Sequence, residues 1–237
     1  MEIDNIITDA FKYPIENVKS LLIYLVLSLV AGMGLFIVGI GIGIGNVTNN
    51  TVLSVIISCI GLIVTALILL LLQGYVLDVV KIAINKENTA PEIDFVRQIK
   101  NGLKLLVASI IYIGIPILLL AILMNINKYL IIIGLIIYII ALFAMLMAQC
   151  RLAKTDSLTE ALNVKECLMD ISRIGVVKVI AVIIILAIVV IIVSLICSFI
   201  QGYSQTIGVL LNSVFTLFMA FVQARAYGLM YSSIEGA

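Results

Sequence analysis

Six polar side chains stand out against a chain that is otherwise overwhelmingly apolar: Gln73, Gln149, Gln223, Arg151, Arg225 and Asp78. Each lies near the end of a long apolar run. Arginine follows glutamine by two positions in Gln149-Cys150-Arg151 and Gln223-Ala224-Arg225, and Gln73-Gly74-Tyr75 aligns with both. A guanidinium binds a carboxylate or phosphate through two parallel hydrogen bonds. Three amides and two guanidiniums converging with Asp78 would form a small polar vestibule for an anionic headgroup or a small organic anion. The competing expectation is that the long side chains simply snorkel to ordinary lipid headgroups.

Composition excludes most other chemistry. The 237 residues contain no histidine, which removes Ser-His-Asp triads, histidine zinc sites and most haem ligation. Cys59, Cys150, Cys167 and Cys197 are far apart and form no C-x-x-C, so they are expected as apolar packing. No cofactor or metal is expected, and no nucleophile and base share a recognisable motif, so the chain reads as non-enzymatic. A net charge of +1 offers nothing to nucleic acid. Gly39, Gly41, Gly43 and Gly45 alternate with other residues and match no phosphate-cradling loop. Their small-xxx-small spacing predicts close helix packing, with Gly39 and Gly43 against another helix. Pro116, shortly after Gly114, should kink its helix. Asn46-Val47-Thr48 and Asn49-Asn50-Thr51 are glycosylation sequons in a turn too short to make modification the expectation.

The elements that would position these residues are membrane helices. The chain is 64% hydrophobic and 11% charged, whereas soluble domains run about 45–50% and 25%. Stretches 21–44, 52–72, 103–124, 130–148, 176–200 and 207–222 are each apolar enough to cross about 30 Å of hydrocarbon. Several are rich in β-branched residues, but in lipid the backbone must satisfy itself within the segment, so helix is predicted. All 14 lysines and arginines except Lys128 fall in the termini and the even-numbered connections or beside them. That bias predicts both termini in the cytoplasm of a multi-pass cell-membrane protein. The opening Met1-Glu2-Ile3-Asp4 is acidic where a cleaved signal would be basic, so none is expected.

Short amphipathic helices are predicted at the interface before each hairpin. Ile3, Ile6, Ile7, Ala10 and Phe11 share one helical face, and Pro14 should end that helix or start the next. Thr89-Ala90-Pro91-Glu92 and Ser157-Leu158-Thr159-Glu160 both have capping-box spacing and predict helix starts. Lys104 to Gln149 and Lys178 to Gln223 are equally separated. The predicted architecture is therefore all-α: one domain, 1–237, of six transmembrane helices arranged as three parallel hairpin repeats, 11–88, 89–156 and 157–237. Parallel repeats lower the expectation of alternating-access transport, which more often uses inverted ones.

Phe11-Lys12-Tyr13-Pro14, Gly74-Tyr75-Val76-Leu77, Ala90-Pro91-Glu92 and Asn101-Gly102-Leu103-Lys104, followed by Tyr112 and Pro116, carry a resemblance. Together they resemble an uncharacterised, largely archaeal membrane-protein family, domain of unknown function 4013. A Leu-Pro pair with an aromatic and acidic cluster is usual there; here Ala90 replaces the leucine and Ile93 an aromatic. The resemblance implies an architecture and no activity. The functional expectation is a membrane organiser or partner subunit whose partners are the lipid bilayer, anionic headgroups or another membrane protein. The alternative is a transporter or flippase-like protein for a small amphiphile or anionic solute.

Overall fold

The structure, a computed structural model, describes residues 1–48 and 50–234, the side chain of Lys128 excepted. Asn49, and with it the second sequon, lies outside the described residues. Every regular element among the described residues is helical. Six helical spans are long and apolar enough to cross a membrane; their ends enclose five of the predicted stretches, and the fourth span begins one residue later than predicted, at Ile131.

The chain opens with α1 (Ile3–Glu16), whose predicted apolar face is buried at Ile6 and Ala10. The helix runs through Pro14 rather than stopping at it. A proline so near the end removes one backbone donor, and Asn17 closes the turn by donating both its amide N–H and its side-chain Nδ2 to the Tyr13 carbonyl. Then come α2 (Val18–Thr48) and α3 (Thr51–Ile84). The third span is α4 (Phe95–Ser109), a π-turn (Ile110–Gly114) and α5 (Ile115–Ile126). Its helix starts later than Thr89-Ala90-Pro91-Glu92 predicts. Pro91 holds the preceding residue extended, and the Asp94 side chain takes the capping role by accepting from the Arg97 N–H at 3.0 Å. This span therefore has no separate interfacial helix before it, because α4 carries the amphipathic segment and the membrane segment in one piece. The kink expected at Pro116 is the π-turn, where the Ile115 N–H reaches back to the Ile110 carbonyl. The wider turn makes room for a ring that would press on the preceding carbonyl.

After α6 (Ile131–Thr155), Ser157 caps the single turn α7 (Leu158–Ala161) as its spacing predicts, accepting from the Glu160 N–H. The amphipathic α8 (Val164–Ile174) follows and ends at Gly175, whose φ of +102 favours glycine. The last pair is α9 (Val176–Tyr203) and α10 (Gln205–Tyr231).

Burial divides the molecule in two along the membrane normal. At the end that carries both termini, here the basal end, α3 from Leu71, α6 from Ala144 and α10 from Met219 bury most of their residues. Tyr24, Tyr75 and Phe221 meet there with ring centroids 5.3 to 6.2 Å apart. Toward the hairpin turns, here the far end, burial nearly stops. The small residues buried there meet the other helix of their own hairpin: Gly34 meets Gly61 and Thr65, Gly134 meets Leu120, and Gly208 meets Gln201. Lipid tails are as apolar as leucine, so close backbone approach at small residues supplies what association there is.

The glycine run of α2 corrects one expectation. Gly41 and Gly45 face α3, where a side chain would press on Ser58 and Ser54, whereas Gly39 and Gly43 have open space in front of them. The alternating run puts its two pairs on opposite faces, and Gly34, seven residues before Gly41, selects the buried one.

Candidate functional site

Arg151 and Arg225 sit one turn beyond the apolar segments of α6 and α10, at the basal end. Neither faces an open vestibule. Arg151 Nε lies 3.0 Å from Asp170 Oδ2, Nη2 lies 3.3 Å from Glu166 Oε2, and Nη1 lies 3.5 Å from Glu160 Oε2. Asp170 is 1% exposed and is also held by Arg173 Nη1 at 2.7 Å and by the Tyr231 hydroxyl at 3.2 Å. Two guanidiniums thus meet three carboxylates from α7 and α8. A buried carboxylate persists in this setting because its charge is paired and its oxygens are filled.

Arg225 is 2% exposed. Its Nε donates to Asp9 Oδ1 of α1 at 2.7 Å, its Nη1 donates to the Glu87 carbonyl, and its guanidinium lies 4.8 Å from the centre of the Tyr13 ring. The Tyr13 hydroxyl continues to the Thr89 carbonyl at 2.9 Å, and burial pushes its ionisation well above the ordinary phenol range. Asn88 donates to Glu16 at 2.7 Å, and Glu16, also bridged to Lys12, is held below its usual carboxylate range.

Asp78 of α3 is the third such centre, with the polarity reversed. Its Oδ2 accepts from Arg97 Nη2 at 3.1 Å and from Gln98 Nε2 at 2.9 Å, both on α4. Arg97 and Gln98 also donate to the Glu92 carbonyl, which fixes the extended segment before α4. A polar cavity of about 350 Å³ opens beside it, lined by Asp78, Lys81, Glu87, Thr89, Glu92 and Arg97 among others.

In every case the basal end of an even-numbered span is tied to an amphipathic segment: α3 to α4, α6 to α8, and α10 to α1. These are latches between helices. An incoming anion would have to displace a carboxylate already bound inside the chain.

The glutamines are not brought together. Gln73 is exposed in a groove between α3 and α4, Gln149 lines a second groove between α6, α9 and α10, and Gln223 lines neither. The shared vestibule expected from their spacing is therefore absent among the described residues. Its physical reason is helix rotation: two positions turn a helix by about 200°, so the side chain that turns inward is Tyr75, Arg151 or Arg225, and the glutamine two residues earlier stays on the flank of its span. Asp9, Arg97, Gln98, Glu160, Glu166 and Asp170, the partners that matter, went unselected in the sequence. Their only signal there is a charged or amide residue bordering the apolar face of an amphipathic segment.

The cysteines are free. Cys167 of α8 lies 3.6 Å from the Tyr112 hydroxyl, which donates chiefly to the Ala161 carbonyl at 2.9 Å. Burial raises the Cys167 thiol above its ordinary range, the opposite of what a nucleophile needs.

Fold and site together define a six-span helical membrane protein whose basal end is closed by ion-pair latches. The family model described as "Protein of unknown function (DUF4013)" matches residues 57–202, and the chain belongs to that family. No curated protein and no solved structure matches it.

Proposed function

We propose that the chain is a non-enzymatic membrane subunit that organises a partner within the bilayer, with its basal end in the cytoplasm. One observation carries this reading: the far halves of the three hairpins expose apolar side chains around much of their circumference. Leu118 and Ile122 of α5, Ile192 and Leu195 of α9, and Leu210 and Val214 of α10 are all at least half exposed. The basal half, by contrast, is locked. A scaffold that is rigid at one end and unpacked at the other suits the reception of other apolar helices between its hairpins.

The latches support a structural role as well. Read as one device used three times, they close a ring, because α1, which opens the first hairpin, docks on the end of the last. Transport of an anionic solute would need a free cationic site, and Arg151 and Arg225 are both neutralised within the chain.

Photo-crosslinking in the native membrane tests the proposal. A photoreactive residue at Leu118, Ile192 or Leu210 should give the same discrete protein adduct from the second and the third hairpin. Adducts with lipid alone at these positions would overturn it.

A further inference from the structure

The two glutamine grooves are the same place in successive hairpins. Leu69, Leu70 and Gln73 of one correspond, at a single constant offset in the chain, to Met145, Leu146 and Gln149 of the other. The facing wall matches too: Ser109 of α4 in the first stands where Ile183 of α9 stands in the second, at the offset that relates Lys104 to Lys178. The grooves measure about 270 and 320 Å³ and are otherwise lined almost wholly by apolar side chains.

Depth says what reaches them. Helical rise places Gln149 roughly 27 Å beyond the start of α6, and Gln73 roughly 33 Å beyond the start of α3. Hydrocarbon is about 30 Å thick. Both amides therefore stand at the basal edge of the hydrocarbon, level with the glycerol linkages of that leaflet. Neither amide makes a hydrogen bond to another described residue. An amide facing an apolar medium without a partner is costly, so each groove calls for an acceptor at its basal mouth and an apolar body along its floor.

We infer that each groove binds one chain of a basal-leaflet glycerolipid, with the glutamine Nε2 donating to a glycerol-linkage oxygen. A partner helix fits poorly: its backbone carbonyls are bonded within the helix and bring no free acceptor to this depth, whereas a glycerolipid presents its linkage oxygens there. No lysine or arginine lines either groove, so recognition rests on the linkage and the chain rather than on headgroup charge. The inference concerns the basal half alone and is independent of what occupies the far end.

Full-length protein, delipidated in mild detergent and mixed with vesicles of phosphatidylglycerol or phosphatidylcholine, can be weighed by native mass spectrometry. Two lipids should be retained, with the two headgroups within about threefold of each other, since a neutral amide does not read charge. Gln73→Leu and Gln149→Leu should each weaken one site about three- to tenfold, the worth of one neutral hydrogen bond. Gln223→Leu should change nothing. Leu106→Trp and Leu142→Trp, at lining positions 47% and 40% exposed and therefore tolerant of bulk, should each abolish one site. Retention of two lipids in both tryptophan variants would overturn the inference. So would equal losses in all three glutamine variants, the mark of ordinary annular lipid. A protein adduct from a photoreactive residue at position 106 or 142 would also overturn it, by showing a partner chain in the groove.

Discussion

Removing the Arg225 guanidinium would leave Asp9 without its cation and the Glu87 carbonyl without its donor, in a site where Arg225 is 2% exposed. Loss of one member of a buried pair costs more than the pair contributes. Asp9, however, is 38% exposed at its side chain and partly regains water. Arg225→Met is therefore expected to destabilise by about 2–4 kcal/mol, with Asp9→Asn costing less, read as thermal unfolding in detergent. Arg225→Lys should not restore the loss, because an ammonium cannot both fork to two acceptors and stack on Tyr13. A wild-type melting curve for Arg225→Met would show that the latch is ornamental. The sequence displays Arg225 plainly and hides its partner. Asp9 lies 216 residues away, and no periodicity within α10 points to it.

At the scale of helices, the two faces of α2 give opposite predictions. A Cβ at Gly41 would come within 2.8 Å of the Ser58 backbone nitrogen, whereas one at Gly39 or Gly43 meets nothing within 4 Å. Gly41→Leu should cost about 1–3 kcal/mol through overpacking. Gly39→Leu with Gly43→Leu should leave the melting temperature unchanged or raise it slightly, since leucine is the better helix former. A fall in the double variant as large as in Gly41→Leu would reverse the assignment of faces. Element boundaries were legible where one local signal dominated, as in the Ser157 cap and the six apolar runs. They are ambiguous where two compete: Thr89 offers a cap, but Pro91 and Asp94 together move the start of α4 to Phe95. The glycine run was likewise legible as packing, while the choice of face depended on Gly61 and Thr65 across the hairpin.

For the molecule as a whole, both termini lie at the basal end, and the basic residues gather there. In a background lacking the native cysteines, Thr48→Cys should be labelled by an impermeant thiol reagent from outside the cell. Asn88→Cys should be labelled only after permeabilisation; the reverse pattern would invert the protein in its membrane. Six spans and their alternation follow from hydropathy, because lipid imposes helix on any long apolar run. The division into a packed half and an open half does not, because Leu, Ile and Val fill both halves alike. What separates the halves is the reach of a few polar partners, Asp78, Arg151 and Arg225, and the amphipathic helices they hold.

The docking of α1 on α10 also sets an order in time. Helix α1 leaves the ribosome long before α10, yet finds its seat only when α10 has been made. At about 5–20 residues per second, the 216 residues between Asp9 and Arg225 take roughly 10–40 s to synthesise. Throughout that interval the face of Ile6, Ala10 and Phe11 must rest on the membrane surface or on a chaperone. Nascent chains arrested before Arg225 should therefore leave a cysteine at position 10 open to a thiol reagent, and chains arrested well beyond the C-terminal helix should protect it. Equal protection at both lengths would mean that α1 is seated before its partner exists.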